Sequence, residues 1–261
     1  MTSKAIRRAG ILAVPLLLAG CGWAGERAET PVSASGERCV VPSDLAPARA
    51  YAPPADEIAR DVATAHHLLA VSWSPQACRS GADYPDAEHQ CRDNHFGLTL
   101  HGLWPNGPTR TRHPRYCAAA PAIRAETVRR NFCMTPSPSL QQHEWAAHGT
   151  CGWATPEAYF DQAARLWNGL KRPDLEAIPA ADLTAGAIRR AFAQANPGLP
   201  ERAVWVVLAD GWFREARICY SKTFAWEPCP HGVGPGDATP VRLAPRGPAT
   251  GGSDDGSATR R

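Results

Sequence analysis

The chain of 261 residues is long enough for one domain of ordinary size, and 44% hydrophobic content suffices to bury its core. Its net charge is +3, and setting aside the three basic residues in the first twenty positions leaves about zero, which excludes a polycation that binds nucleic acid through a broad basic field. Nine cysteines, at 21, 39, 78, 91, 117, 133, 151, 219 and 229, include no C-x-x-C pair, so they argue against a zinc knuckle and for disulfides in an exported protein.

Residues 1–20 read as an export signal, with Lys4, Arg7 and Arg8 ahead of the apolar run "ILAVPLLLAG", which is too short to span a bilayer. The junction "LLAGC" resembles the bacterial lipoprotein cleavage box, which would make Cys21 a lipid anchor and leave eight cysteines for four bridges. The alternative is an ordinary secretory signal cut near Ala19 or Ala24. Residues 21–52, rich in Ala, Pro, Ser and charge, are expected to be a tether, clipped at Cys39. One domain over 53–231 should follow, and then a disordered tail over 232–261.

Within the domain, "HLLAVSWSP" (67–75) and "FGLTLHGLW" (96–104) read as strands, and "RAVWVVLAD" with "REARICYS" as an antiparallel pair. Helices are expected over 121–132, where Pro121 opens the segment, over 155–170, capped by Thr155, and over 183–196, capped by Thr184. In the second of these, Tyr159, Phe160, Ala163, Leu166 and Trp167 fall at helical spacing. Strands and helices do not alternate strictly. The expected fold class is therefore α+β, a single disulfide-stapled domain with a central antiparallel sheet flanked by helices.

The stretch "HEWAAHGTC" (143–151) carries the chemistry. A zinc-protease helix needs histidines four apart, whereas His143 and His148 are five apart and would point about 140° from each other on a continuous helix. Glu144 would instead lie over His148, where a carboxylate orients an imidazole and stabilises its cation. No metal is expected. A second cluster, "LTLHGLWPNGP", places His101 at the end of a strand and Trp104 three residues on.

"HGLWP" and "HEWxxHGTC", in that order and about forty residues apart, resemble the two boxes of the ribonuclease T2 family, exported metal-independent endoribonucleases. The resemblance extends more weakly over most of 67–230. It implies an endoribonuclease that cleaves single-stranded RNA to 2′,3′-cyclic phosphate ends and then 3′-phosphates, with His148 as base, His101 as acid, His143 on the phosphate and Glu144 supporting the charged intermediate. The residues alone do not tell base from acid. Two histidines can perform such a transfer without a cofactor. Trp104 would shape or stack at the substrate site, or else be a core tryptophan. The resemblance also implies the pairs Cys117–Cys151, Cys219–Cys229 and Cys78–Cys91, which leaves Cys39 with Cys133.

The family's second box usually has a basic residue directly before the last histidine, where this chain has Ala147. Ala147→Lys is therefore expected to raise the rate, unless Arg110 or Arg112 already supplies the cation. The remaining histidines, His66, His67, His89, His95, His113 and His231, sit in polar or loop-like contexts and are not expected to act directly, while "MTPSPSL" (134–140) is a candidate base pocket. RNA, and a membrane through Cys21, are the expected partners of a monomer. The competing readings are a catalytically weak RNA-binding or toxin-like protein on the same scaffold, and a metal-dependent hydrolase.

Overall fold

The computed structural model describes residues 38–46, 48–79 and 86–247. The segment 1–20 and Cys21 lie outside them. Among the described residues, four antiparallel strands form one sheet in the order β2-β1-β4-β3, where β1 is His66–Trp73, β2 Leu98–Asn106, β3 Val204–Ala209 and β4 Trp212–Tyr220. The same residues hold six α-helices: α1 (Ser74–Arg79), α2 (Ala87–Cys91), α3 (Ala125–Asn131), α4 (Pro138–Ala147), α5 (Pro156–Gly169) and α6 (Ala185–Ala195). The α+β expectation holds, as do all four long strands. The two short helices α1 and α2 carry no periodic signal and were not foreseen.

Alternation divides the sheet into two faces. Leu69, Val71 and Trp73 of β1, Leu100 and Leu103 of β2, Val204 and Val206 of β3, and Ala216 and Ile218 of β4 are buried in the main core. The anticipated stripe of α5, from Tyr159 to Trp167, is buried in the same core, and the Tyr159 hydroxyl accepts from the Leu103 N–H at 3.1 Å. The opposite face follows from the pairings Leu68↔Trp104, Ala70↔Gly102, Ala70↔Arg217 and Ser72↔Glu215. Small residues in its middle leave room above the strands for polar groups.

Side-chain caps start two helices where the sequence suggested, Thr155 Oγ1 accepting from Ala158 N and Thr184 Oγ1 from Ala187 N, and an unforeseen third starts α4, where Ser137 Oγ accepts from Leu140 N. Helix α4 stops at Ala147 because its last carbonyls are taken, that of Ala146 by the Thr150 hydroxyl at 2.9 Å and that of Ala147 by the Tyr116 N–H at 3.0 Å. His148 leaves the helical path there, with φ −122° and ψ −45°.

The bridges are Cys78–Cys91, Cys117–Cys151 and Cys219–Cys229, the three pairs the resemblance implied, and Cys39–Cys133, the pair left over. Both expected domain boundaries need correction. From residue 38 the supposed tether is part of the body: Cys39, Leu45 and Ala48 are buried, and Val40 N–H donates to Asn94 Oδ1 at 2.7 Å. The supposed tail packs as far as residue 247. Arg189 of α6, only 2% exposed, donates to the carbonyls of Val233 and Pro235 and pairs with Asp237, while Trp73 Nε1–H donates to the Ala244 carbonyl at 2.8 Å. These anchors are single residues at irregular spacing, which no periodicity search detects.

Candidate active site

His101 is placed by a register shift. Ala70 pairs with Gly102 and Val71 with Leu100, so His101 is the extra residue of a bulge in β2. Its Nδ1 donates to Glu215 Oε2 at 2.8 Å, and its Nε2 lies 3.5 Å from Glu144 Oε1. Glu215 is nearly fully buried on β4, where the Ser72 hydroxyl and Arg217 Nε also donate to it, at 3.2 and 2.7 Å. Glu144, equally buried on α4, accepts from Trp104 Nε1 at 2.7 Å. This approach requires Gly102, since a Cβ there would stand 1.9 Å from Glu144 Oε2.

Trp104 joins the two histidines. Its ring meets His101 edge-on at 5.0 Å and stacks on His148 at 5.4 Å, and the Arg217 guanidinium lies 4.8 Å from its centre. The indole shapes the site, and its ring is already in contact with three polar neighbours. His148 Nδ1 is buried without a hydrogen-bond partner. His143 packs edge-on against Tyr51 at 5.0 Å and Tyr116 at 6.3 Å. Because α4 ends before His148, His143 and His148 line one cleft and do not diverge as a continuous helix would require.

The two histidines sit in opposite fields. Burial works against the His101 cation, but the Glu215 hydrogen bond and the charges of Glu144 and Glu215 prevail and raise it above 6.5. His148 has no such partner, and burial followed by the Arg115 charge drives it well below 6.5. The same two causes lower His143. Burial pushes Glu144 up to about 7 against the pull of His101 and the Trp104 N–H, whereas Glu215, despite burial, is brought to about 2 by His101 and Arg217. His101 therefore keeps its proton to higher pH than His148 does.

The cleft measures about 370 Å³. Three histidines not expected to take part, His66, His113 and His231, line it beside Arg110, Arg115, Arg217 and Trp205. His67 lies off the cleft, against Phe224 at 4.5 Å. None of the residues of 134–140 lines it: Thr135 instead bonds the Leu100 carbonyl at 2.9 Å, so that segment braces the sheet edge. Of the two arginines expected to compensate for Ala147, Arg110 reaches the cleft, but Arg112 pairs with Asp61 at 2.6 Å on the surface. Ala147 itself is fully buried in a small cluster with Tyr116 and Ala146, which opposes the expected benefit of a lysine there. Among the described residues no three His, Cys, Asp or Glu side chains converge on a position for one metal ion.

Residues 64–182, which contain both histidine boxes, match the family model "Ribonuclease T2 family". Over this segment, a little under half of its length, the chain is similar to the ribonuclease T2 family. A "Probable ribonuclease" of Haemophilus influenzae is 34% identical over 120 residues, and a "Ribonuclease" of Aeromonas hydrophila 33% identical over 104. These matches cover 42% and 39% of this chain and 44% of each relative, so the chain spans less than half the length of either. Among solved structures, an RNase-related protein from Calystegia sepium superposes with a TM-score of 0.50 at 19% identity, over 64% of this chain and 91% of that one. Trichomaglin, described as an S-like ribonuclease, superposes at 0.51 and 18% identity, over 70% and 98%. At such identities these two show the ribonuclease T2 fold alone. Glu215 and Arg217 lie beyond the segment that matches the ribonuclease T2 model.

Proposed function

We propose that this protein is an endoribonuclease that cleaves single-stranded RNA by metal-independent transesterification, forming 2′,3′-cyclic phosphate ends that are then hydrolysed to 3′-phosphates. The observation that carries this reading is the contrast between two histidines across one indole, His101 held between two carboxylates and His148 next to none. His148, neutral, takes the proton of the 2′-hydroxyl as that oxygen attacks phosphorus. His101, protonated, gives its proton to the departing 5′-oxygen. Glu215 fixes the ring of His101 through Nδ1, which leaves Nε2 to serve as the acid. Glu144 steadies the charge on that ring, and His143 stands beside the phosphate as a neutral donor.

The protein is further read as an exported lipoprotein, periplasmic or at the cell surface, anchored through Cys21 and acting as a monomer. Four disulfides support export to an oxidising compartment. Labelling with radioactive fatty acid tests the anchor, since Cys21→Ser should abolish it.

The enzymatic reading is tested by incubating the protein with RNA and with DNA in a chelator and identifying the ends formed. His101→Ala or His148→Ala should lower RNA cleavage by about 10² to 10⁴, the usual contribution of one positioned acid or base. DNA should remain intact for want of a 2′-hydroxyl. A folded variant of either histidine with wild-type activity would remove that residue from the mechanism. Binding of RNA without any cleavage would favour the competing reading of a weakly active or toxin-like binding protein, which the absence of a cation at Ala147 first suggested.

A further inference from the structure

Three arginines line the cleft, Arg110, Arg115 and Arg217. Arg217 is committed: its Nε donates to buried Glu215 at 2.7 Å, and its guanidinium lies between Trp104 and Trp205, at 4.8 and 5.1 Å from their ring centres. Arg115 is built differently. Its guanidinium pairs with Glu57 at 2.9 Å, but that carboxylate is 41% exposed and comes from a short 3-10 turn near the start of the described chain. Such a pair is screened by water and contributes little to stability. Arg115 Nε is buried with no hydrogen-bond partner. After burial, its charge is the foremost influence on both His143 and His148.

The backbone around Arg115 is fixed on every side. Arg115 and Ala59 exchange both backbone hydrogen bonds at 3.0 Å, and Cys117 is bridged to Cys151. Between them Tyr116 is held at φ 51°, a left-handed conformation that costs a non-glycine residue energy and persists only where its surroundings enforce it. Here the Tyr116 N–H donates to the Ala147 carbonyl at 3.0 Å and Arg60 Nε donates to the Tyr116 carbonyl at 3.2 Å. Strain maintained by this many partners beside two candidate catalytic histidines marks a position that the fold constructs.

We propose that Arg115 is the cation that receives the phosphate in this cleft, and that Glu57 is its resting counter-ion, released when a phosphate enters. This rests on the endoribonuclease reading for the identity of the substrate, but the binding step stands apart from cleavage. A planar guanidinium can hold two phosphate oxygens at once, and a phosphate is a stronger partner for it than a solvent-exposed carboxylate. The exchange keeps Arg115 neutralised in the empty protein and frees it only for a ligand of matching charge.

Inorganic phosphate is the probe, with its dissociation constant measured by titration calorimetry on the whole folded protein. Arg115→Ala should weaken binding about tenfold or more, Arg115→Lys should weaken it less because charge remains without the planar fork, and Glu57→Gln should tighten it several-fold. If Arg115→Ala does not fold by near-ultraviolet circular dichroism, Arg115→Gln, which keeps a polar side chain without the charge, is measured in its place. Unchanged phosphate binding in a folded Arg115 variant overturns the proposal, and unchanged or weaker binding in Glu57→Gln overturns the counter-ion half. If the wild type binds phosphate through Arg115 yet cuts no RNA, the nuclease reading falls and this one stands. If RNA is cut at the wild-type rate by folded Arg115 variants that bind phosphate normally, this proposal alone falls.

Discussion

His101 carries a carboxylate near each ring nitrogen and His148 carries none, so the pH response of the site follows from which partner is removed. Glu215 raises the His101 pKa, and without it only the Glu144 charge is left to oppose burial and the Arg217 charge. In the proposed mechanism His101 must be protonated to act as the acid, so the alkaline limb of kcat/KM should mark the pH at which it loses its proton. Glu215→Gln should move that limb to lower pH, while the acid limb, set by His148 well below 6.5, stays in place. A profile that does not shift would detach Glu215 from His101. At Ala147 the expectation is now reversed. A lysine would have to run past Tyr116 in a filled cluster, so Ala147→Lys should lower urea stability by about 1–3 kcal/mol, as overpacking does, with no gain in kcat.

The bulge in β2 and the early end of α4 are the two local events that assemble the site. Gly102→Ala would drive a Cβ into the Glu144 carboxylate, and the expected result is a loss of both cleavage and thermal stability, read by assay and melting curve. The strands and the capped helices were legible because alternation, the 3.6-residue period and Thr or Ser caps act within a few residues of each other. His101 and His148 were legible as parts of two boxes, but the phase argument set His148 away from His143, since nothing in "HEWAAHG" announces that Tyr116 and Thr150 will take the last carbonyls. Glu215 was harder still. It reaches His101 only through the sheet, by the pairing of β4 on β1 opposite Ser72, and in "REARICYS" it reads as an ordinary solvent-facing charge. Arg115 depends on a left-handed Tyr116, for which the sequence offers no glycine as a sign.

At the scale of the whole molecule, one end of the described chain packs against residues that line the cleft and the other clamps the core. Tyr51 and Glu57 come from one end, and residues 233–237 hold buried Arg189 from the other. A chain ended after Gly232 would leave the Arg189 charge buried without its acceptors, so it should lose about 3–5 kcal/mol, seen as a lower Tm. Retention of the full-length Tm would show that α6 keeps its place unaided. The bridge between Cys117 and Cys151, 34 residues apart, has a different kind of consequence. It fastens the segment bearing Arg115 to the turn that follows His148, so cation and imidazole share a fixed frame only once two thiols have been joined. With the thiols still reduced, the two segments are joined at that point by a long loop, and for the proposed exported ribonuclease oxidation would be the step that completes the cleft after the protein has left the RNA of its maker behind.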